Sequence, residues 1–326
     1  MRPAGFQGAA WGAVFVLAAS VLWGTTGTAA TFAPDVSPLA IGAVAMGFGG
    51  LLQAAIATRP LAAHRWSLLG RWRMVGLGAV SVALYPLAFY SSMQLAGVAV
   101  GTVVSIGSAP LASAVIERVA DKRPFTGRWV AGAALGVTGA ALLCIADAGH
   151  SSAADRGEWS TSAGVALGLL AGLSYAVYSW AAHRLINEGL PTRAVMGAVF
   201  GTGGLLLMPV LAATGAPLVG SWQNFAVGAY MALVPMFAGY VLFGWGLARV
   251  RASTATTLSL VETVVAAGLA VLVVGERLPL LGWAGAALIA GSLFVLTLPA
   301  PAPGRRLRTA NAPAGPREAA GSPRGG

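Results

Sequence analysis

Charge is what this sequence has least of. Asp, Glu, Lys and Arg together make up 9% of it, against roughly 25% in a soluble domain, too few to solvate a globular surface. The stretches 74–116, 194–248 and 278–304 carry no charge at all. Each is long enough for one or two helices of about 20 residues, the length that crosses a bilayer. Cysteine occurs once, at Cys144, which excludes an internal disulfide and a thiolate metal site and leaves a small packing residue in a helix. The three histidines, His64, His150 and His183, fall in or near loops, so neither a metal cluster nor a Ser/His/Asp set can be assembled inside the membrane. No Walker-type phosphate loop occurs, which excludes ATP as an energy source within this chain. No catalytic residue, metal or cofactor is expected.

What the chain does have is apolar sequence: 57% of it is hydrophobic and the mean hydropathy is +0.76. Breaking the apolar runs at Pro, Gly and charge clusters predicts ten spans, at about 11–32, 38–58, 74–93, 98–117, 129–146, 162–182, 193–213, 223–247, 252–274 and 279–298. These runs lack the period-two alternation of barrel strands, so helices are expected, each satisfying its own backbone in lipid. The net charge of +10 does not point to nucleic acid, because the basic residues flank the spans. With the N-terminus in the cytoplasm, 18 of the 20 Arg and Lys residues fall inside and only Arg156 and Arg277 outside, a strong positive-inside pattern. An even number of spans then returns the C-terminus to the cytoplasm, which predicts a multi-pass protein of the cytoplasmic (inner) membrane. Arg2 and the stretch after it resemble a secretory leader, but the run from Trp11 to Phe32 is longer than an ordinary leader core and reads as the first span.

The chain also repeats itself. "GAAL" occurs at 132–135 and again at 285–288, each shortly after a tryptophan, Trp129 and Trp283, and "GAVFVLAASVLWG" (12–24) faces "GVALGLLAGLSYA" (164–176) at nearly the same offset. Five spans per unit is an odd number, so the second unit must enter the membrane from the opposite side: an inverted repeat. The fold class expected is therefore an all-α integral membrane protein of ten transmembrane helices in two inverted five-helix repeats. Residues 1–148 form the first unit, 149–161 an outer linker, 162–300 the second unit and 301–326 a disordered basic cytoplasmic tail. The tail's arginines either set topology or meet anionic headgroups.

At the level of motifs, Trp23-Gly24 in the first span, "GSAPL" (107–111) in the fourth and "LVETVVAAGLAVLVVGERL" in the ninth, with Glu262 and Glu276 fourteen apart, resemble the EamA-type transporters of the drug/metabolite transporter superfamily. Thr263 stands where the family pattern has proline, and "DKRP" (121–124) where the first unit usually has "GE-L". The resemblance implies export of a small organic metabolite, an amino acid or related compound, by alternating access through a cavity between the units. Multidrug efflux and metabolite uptake by the same fold are the alternatives. An intramembrane enzyme would need a further buried acid or histidine, and a sensor a sizeable soluble domain. The partners expected are a small-molecule substrate and membrane lipids, with protons and a second copy of the chain as further candidates.

Glu262 is the residue that a charge-poor chain must justify. Counted from Arg251 at 1.5 Å per residue, it lies roughly 16 Å into a hydrocarbon layer about 30 Å thick. An ionised carboxylate there costs about 2.5–3.5 kcal/mol on insertion scales, so it must face the bundle interior. Thr256, Ser259 and Thr263 share one helix face with Glu262 at its edge. Two roles are open for the carboxylate: binding a substrate amine or a proton, or bonding a neighbouring helix. Trp23, Tyr90, Tyr175, Tyr178 and Tyr240 also sit within spans rather than in the headgroup belt, either lining the cavity or packing. Tyr90 with Gln94 is placed toward the outer mouth. The candidate substrate-binding set is thus Trp23, Tyr90, Gln94, Tyr175, Tyr178, Tyr240, Ser259 and Glu262. Small-x-x-x-small spacing at Gly132 and Gly136, and at Gly164, Gly168 and Gly172, predicts close helix packing, and Pro110, Pro209 and Pro235 mark interruptions or cavity walls.

Overall fold

The computed structural model describes residues 4–96, 98–122, 124–148, 158–274 and 279–297. Among them every regular element is helical, as the apolar runs require of a backbone that must satisfy its own hydrogen bonds. Residues 149–157 of the expected linker, the 301–326 tail, Arg2, Arg123, His150, Arg156, Glu276, Arg277 and the side chain of Cys144 lie outside the described residues. The main helices are α1 (Ala4–Gly24), α2 (Pro38–Ile56), α3 (Trp72–Ala96), α4 (Val98–Ala120), α5 (Gly127–Ala148), α6 (Glu158–Asn187), α7 (Thr192–Thr214), α8 (Trp222–Leu247), α9 (Ala252–Val273) and α10 (Leu280–Thr297). Among the described residues, seven helices are long and apolar enough to cross a membrane, and Leu280–Leu296 is a shorter apolar helix.

Several boundaries move outward from those expected. Helix α6 opens at Glu158 rather than 162, because its first turns are tied to the end of α3: the Ser160 hydroxyl donates to the Leu95 carbonyl (3.1 Å) and the Ser92 hydroxyl to the Gly164 carbonyl (2.7 Å). After Gly24, the first helix breaks at Thr25 and resumes as the short helix Thr26–Ala30. The Thr25 and Thr26 hydroxyls bond back to the Leu22 and Trp23 carbonyls (2.6 and 2.7 Å), an alternative to the helical ladder.

Packing is pairwise. Helix α2 lies on α7, α3 on α6, α5 on α10, α4 on α6, and α1 on both α8 and α9. Small residues let these backbones approach. A Cβ on Gly139 of α5 would lie 2.6 Å from the Gly285 carbonyl oxygen of α10, and one on Gly172 of α6 would lie 2.6 Å from the Ser105 carbonyl oxygen of α4.

Two helices are not regular, and both distortions border the centre of the molecule. Helix α8 widens into a π-helical turn at Ala232–Ala238 around Pro235. The carbonyls loosened there are taken up by side chains, Trp23 Nε1 donating to the Pro235 oxygen (2.9 Å) and Gln53 Nε2 to that of Phe237 (3.0 Å). Pro110 and Pro209, expected to interrupt their spans, sit inside continuous helices, as does Pro86. Helix α9 breaks at Ser259–Leu260 between Ala252–Leu258 and Val261–Leu269. No proline causes this break. The hydroxyls of Thr256, Thr257, Ser259 and Thr263 all bond to carbonyls three or four residues earlier, at 2.7–3.2 Å, and such back-bonding bends helices.

Candidate functional site

The two distorted helices, with α1, α2, α3 and α6, surround a central cavity. Trp23, Tyr85, Tyr90, Tyr175, Tyr178, Tyr240 and Glu262 line it. Each side chain is positioned by an identifiable constraint. The Trp23 indole is anchored by its bond to Pro235 and lies against Gly239, where a Cβ would come within 2.7 Å of Nε1. Gly42 makes the same room for the Tyr90 ring. Tyr175 and Tyr178, three apart on α6, stack at 5.2 Å. Trp23 leans on Tyr240 at 4.9 Å, and Tyr85 packs 5.6 Å from Tyr175. Edge, tilted and offset contacts at such distances are favourable beyond simple burial, so the rings form one wall rather than loose side chains.

The hydroxyls on this wall divide into two sets. The Tyr178 and Tyr240 hydroxyls bond each other (2.9 Å), and that of Tyr175 donates to Ser259 Oγ (2.8 Å). These three rings are almost wholly buried. Among the described residues, neither the Tyr85 and Tyr90 hydroxyls nor the Glu262 carboxylate makes a side-chain hydrogen bond or ion pair, although all three residues line the one cavity. All three residues are half-buried and face the same small space.

Glu262 owes its place to the break in α9. It sits in the first turn of Val261–Leu269, its own N–H held by the Ser259 carbonyl (3.0 Å). The carboxylate that caps α9 is a different one. Glu117, buried at the end of α4, accepts from the backbone N–H and the hydroxyl of Ser253 (3.0 and 2.8 Å).

Six of the eight residues proposed from sequence therefore meet at the cavity. Ser259 is fully buried behind the wall as the acceptor for Tyr175, and Gln94 is exposed and away from the cavity. Tyr85, Phe89 and Met236 line the cavity without having been proposed. A spacing of four residues from Tyr85 to Phe89, which puts both on one face of α3, is the signal for the first two; Met236 has none.

The free space enclosed is about 40 Å³. A water needs about 10–15 Å³ of such volume, so the cavity holds only a few waters, and a metabolite would require the rings to part. A second polar region lies where α3 begins and α4 and α6 end. Arg71 pairs with Glu188 (2.7 Å), Arg184 with Asp121 (3.2 Å) and Glu188 (3.4 Å), and Trp180 Nε1 donates to Asp121 (2.9 Å). The Arg71 guanidinium, by its hydrogen bond, holds the Glu188 carboxyl below its ordinary value. His183, nearby, contacts the Leu247 carbonyl (2.6 Å) and Asn187 (2.8 Å).

Comparison with known proteins follows the same outline. The model of the EamA-like transporter family matches residues 10–145 and again 162–298. The chain is 35% identical to an uncharacterized transporter, YwfM, of Bacillus subtilis (strain 168), over 92% of this chain and 96% of that protein. It is 26% identical to a probable terminal-alkyne amino-acid exporter of Streptantibioticus cattleyicolor, over 84% and 92%. A solved crystal structure superposes with a TM-score of 0.70 at 20% identity, covering 87% of this chain and 95% of the other, a likeness of fold.

Proposed function

This chain belongs to the EamA-like transporter family, and from that premise we propose that it is a secondary transporter exporting a small amine-bearing metabolite, an amino acid or close relative, across the cytoplasmic membrane by alternating access. One observation carries the reading: Glu262, a carboxylate without a hydrogen-bonding partner among the described residues, faces a cavity walled by tyrosines and a tryptophan. An ammonium group offers the carboxylate a charge-assisted bond and the rings a cation to stack on. The relative described as a probable amino-acid exporter supports the substrate class.

The architecture proposed is ten spans in two inverted units. The family model matches the chain twice, once per unit, and the packing pairs support the same relation. Exchanging the units turns the contact of α3 with α6 into that of α8 with α1, α4 with α6 into α9 with α1, and α3 with α7 into α8 with α2, while α2 with α7 and α5 with α10 map onto themselves. All of these contacts occur. Both termini are then cytoplasmic, in keeping with the distribution of arginine. The distortions at Pro235 and Ser259 sit where the units meet and give the cavity wall places to flex.

The test is counterflow into proteoliposomes loaded with amino acids and amines, comparing wild type with Glu262→Gln. Saturable exchange of at least one amine that the Gln variant loses supports the proposal. Exchange confined to neutral or anionic compounds removes the substrate class.

A further inference from the structure

Where α1 and α5 begin and α8 turns into α9, a groove of about 780 Å³ opens between the helices. It shares no lining residue with the central cavity, and its volume falls within the roughly 300–1,000 Å³ of pockets that bury a small-molecule ligand. Two kinds of side chain line it. Val14 and Leu17 of α1, Ala114 of α4, Leu258 of α9 and Leu296 of α10 make an apolar wall, exposed at Val14, and Arg128, Arg249 and Arg251 make a cationic rim. The acid among the described lining, Glu117, has both oxygens bonded to Ser253 at the start of α9.

Level and chemistry identify the occupant. The arginines stand at helix ends, Trp129 beside them donates Nε1 to the Ser253 carbonyl (3.4 Å) and stacks on Phe125 (5.7 Å), and indole rings with one polar edge collect at the headgroup level of a bilayer. Arg249 is held over the Phe15 ring at 5.2 Å, with one of its five N–H donors on the Trp245 carbonyl (2.7 Å). We propose that the groove binds one anionic glycerophospholipid, its phosphate on Arg128, Arg249 and Arg251 and one acyl chain against Val14, Leu17 and Leu258. Basic pockets between membrane helices suit acidic headgroups. A zwitterionic lipid would bring its own cation against three others. A soluble phosphate would make no use of the apolar walls. The chain's own tail carries Arg305, Arg306, Arg308, Arg317 and Arg324 against one acid, Glu318, the same sign of charge as the rim.

The test uses the full-length purified protein and native mass spectrometry with equal amounts of phosphatidylglycerol and phosphatidylcholine of matched chains. Wild type is expected to retain one phosphatidylglycerol in preference. The double variant Arg128→Gln/Arg251→Gln should bind it about thirtyfold more weakly, at about 1 kcal/mol per arginine, while Arg128→Lys/Arg251→Lys keeps the preference and controls for folding. Ala13 of α1 also lines the groove, and Ala13→Trp, which fills the apolar wall there, should abolish the adduct. Equal retention of the two lipids, an unchanged preference in the Gln pair, or displacement of the adduct by millimolar inorganic phosphate overturns the proposal.

Discussion

Replacing Glu262 with Gln changes one oxygen for one NH2 group and little else, which makes its outcome calculable. In the folded protein the carboxylate makes no side-chain hydrogen bond or ion pair among the described residues, so the substitution removes no internal bond. What it removes is the charge that an ammonium substrate would meet. Hydrogen bonds to charged groups are worth about 1.5–3 kcal/mol, which at 1.4 kcal/mol per decade lowers apparent affinity about 10- to 150-fold. Stability should move the other way or not at all, because an ionised carboxylate at mid-depth costs about 2.5–3.5 kcal/mol that an amide largely avoids. The assay is paired: amine counterflow in proteoliposomes, and the melting midpoint of the same preparation. If the carboxylate also carries a proton in the cycle, the pH dependence of flux flattens in the variant. Undiminished affinity and flux would refute the reasoning on function. A midpoint several degrees lower would show that Glu262 holds the structure together.

Other substitutions separate binding from architecture. Glu117→Ala leaves the buried Ser253 N–H without an acceptor and should destabilise by about 1–3 kcal/mol, read as a lower melting midpoint. Gly24→Ala places a Cβ 2.6 Å from the Val265 Cβ and 2.8 Å from the Glu262 carbonyl oxygen; overpacking of this kind costs about 1–3 kcal/mol and, at the α1–α9 seam, should reduce flux in protein that still elutes as a single species. Tyr178→Phe strands the Tyr240 hydroxyl and should cost about 0.5–1.5 kcal/mol in thermal unfolding. The Arg71–Glu188 pair is more than a third exposed, so a double-mutant cycle should give no more than about 1 kcal/mol, reduced by salt. Because the folded carboxyl is held below its unfolded value, the coupling is present at neutral pH and is lost as pH falls below about 4.

The parts of the site legible in the sequence were those where a residue type contradicts its surroundings. A carboxylate eleven residues from the nearest basic residue, Arg251, and rings at mid-span instead of at the headgroup belt are conspicuous in a chain so poor in charge, and Glu262, Trp23, Tyr90, Tyr175, Tyr178 and Tyr240 all reach the cavity. Glu117 was hidden because an acid next to Arg118 looks like the edge of a span, and its pairing with Ser253 joins residues 136 apart. The break in α9 was hidden for a different reason. Thr263 replaces the proline that would have announced it, and a run of Thr and Ser breaks a helix only where their hydroxyls turn back onto the backbone, as Thr256, Thr257 and Ser259 do here. Gln94, expected with Tyr90 toward the outer mouth, is exposed near the end of α3 and does not line the cavity.

The claim on which the account turns is that a substrate occupies the space beside Glu262. In a Cys144→Ser background, a thiol introduced at Met46, which lines the cavity and is 2% exposed, reports on that space through its rate of modification by a small maleimide. Any amine the protein transports should slow the reaction in proportion to its occupancy, and should fail to do so when Glu262 is Gln. A rate indifferent to every transported compound would place the substrate elsewhere and contradict the account.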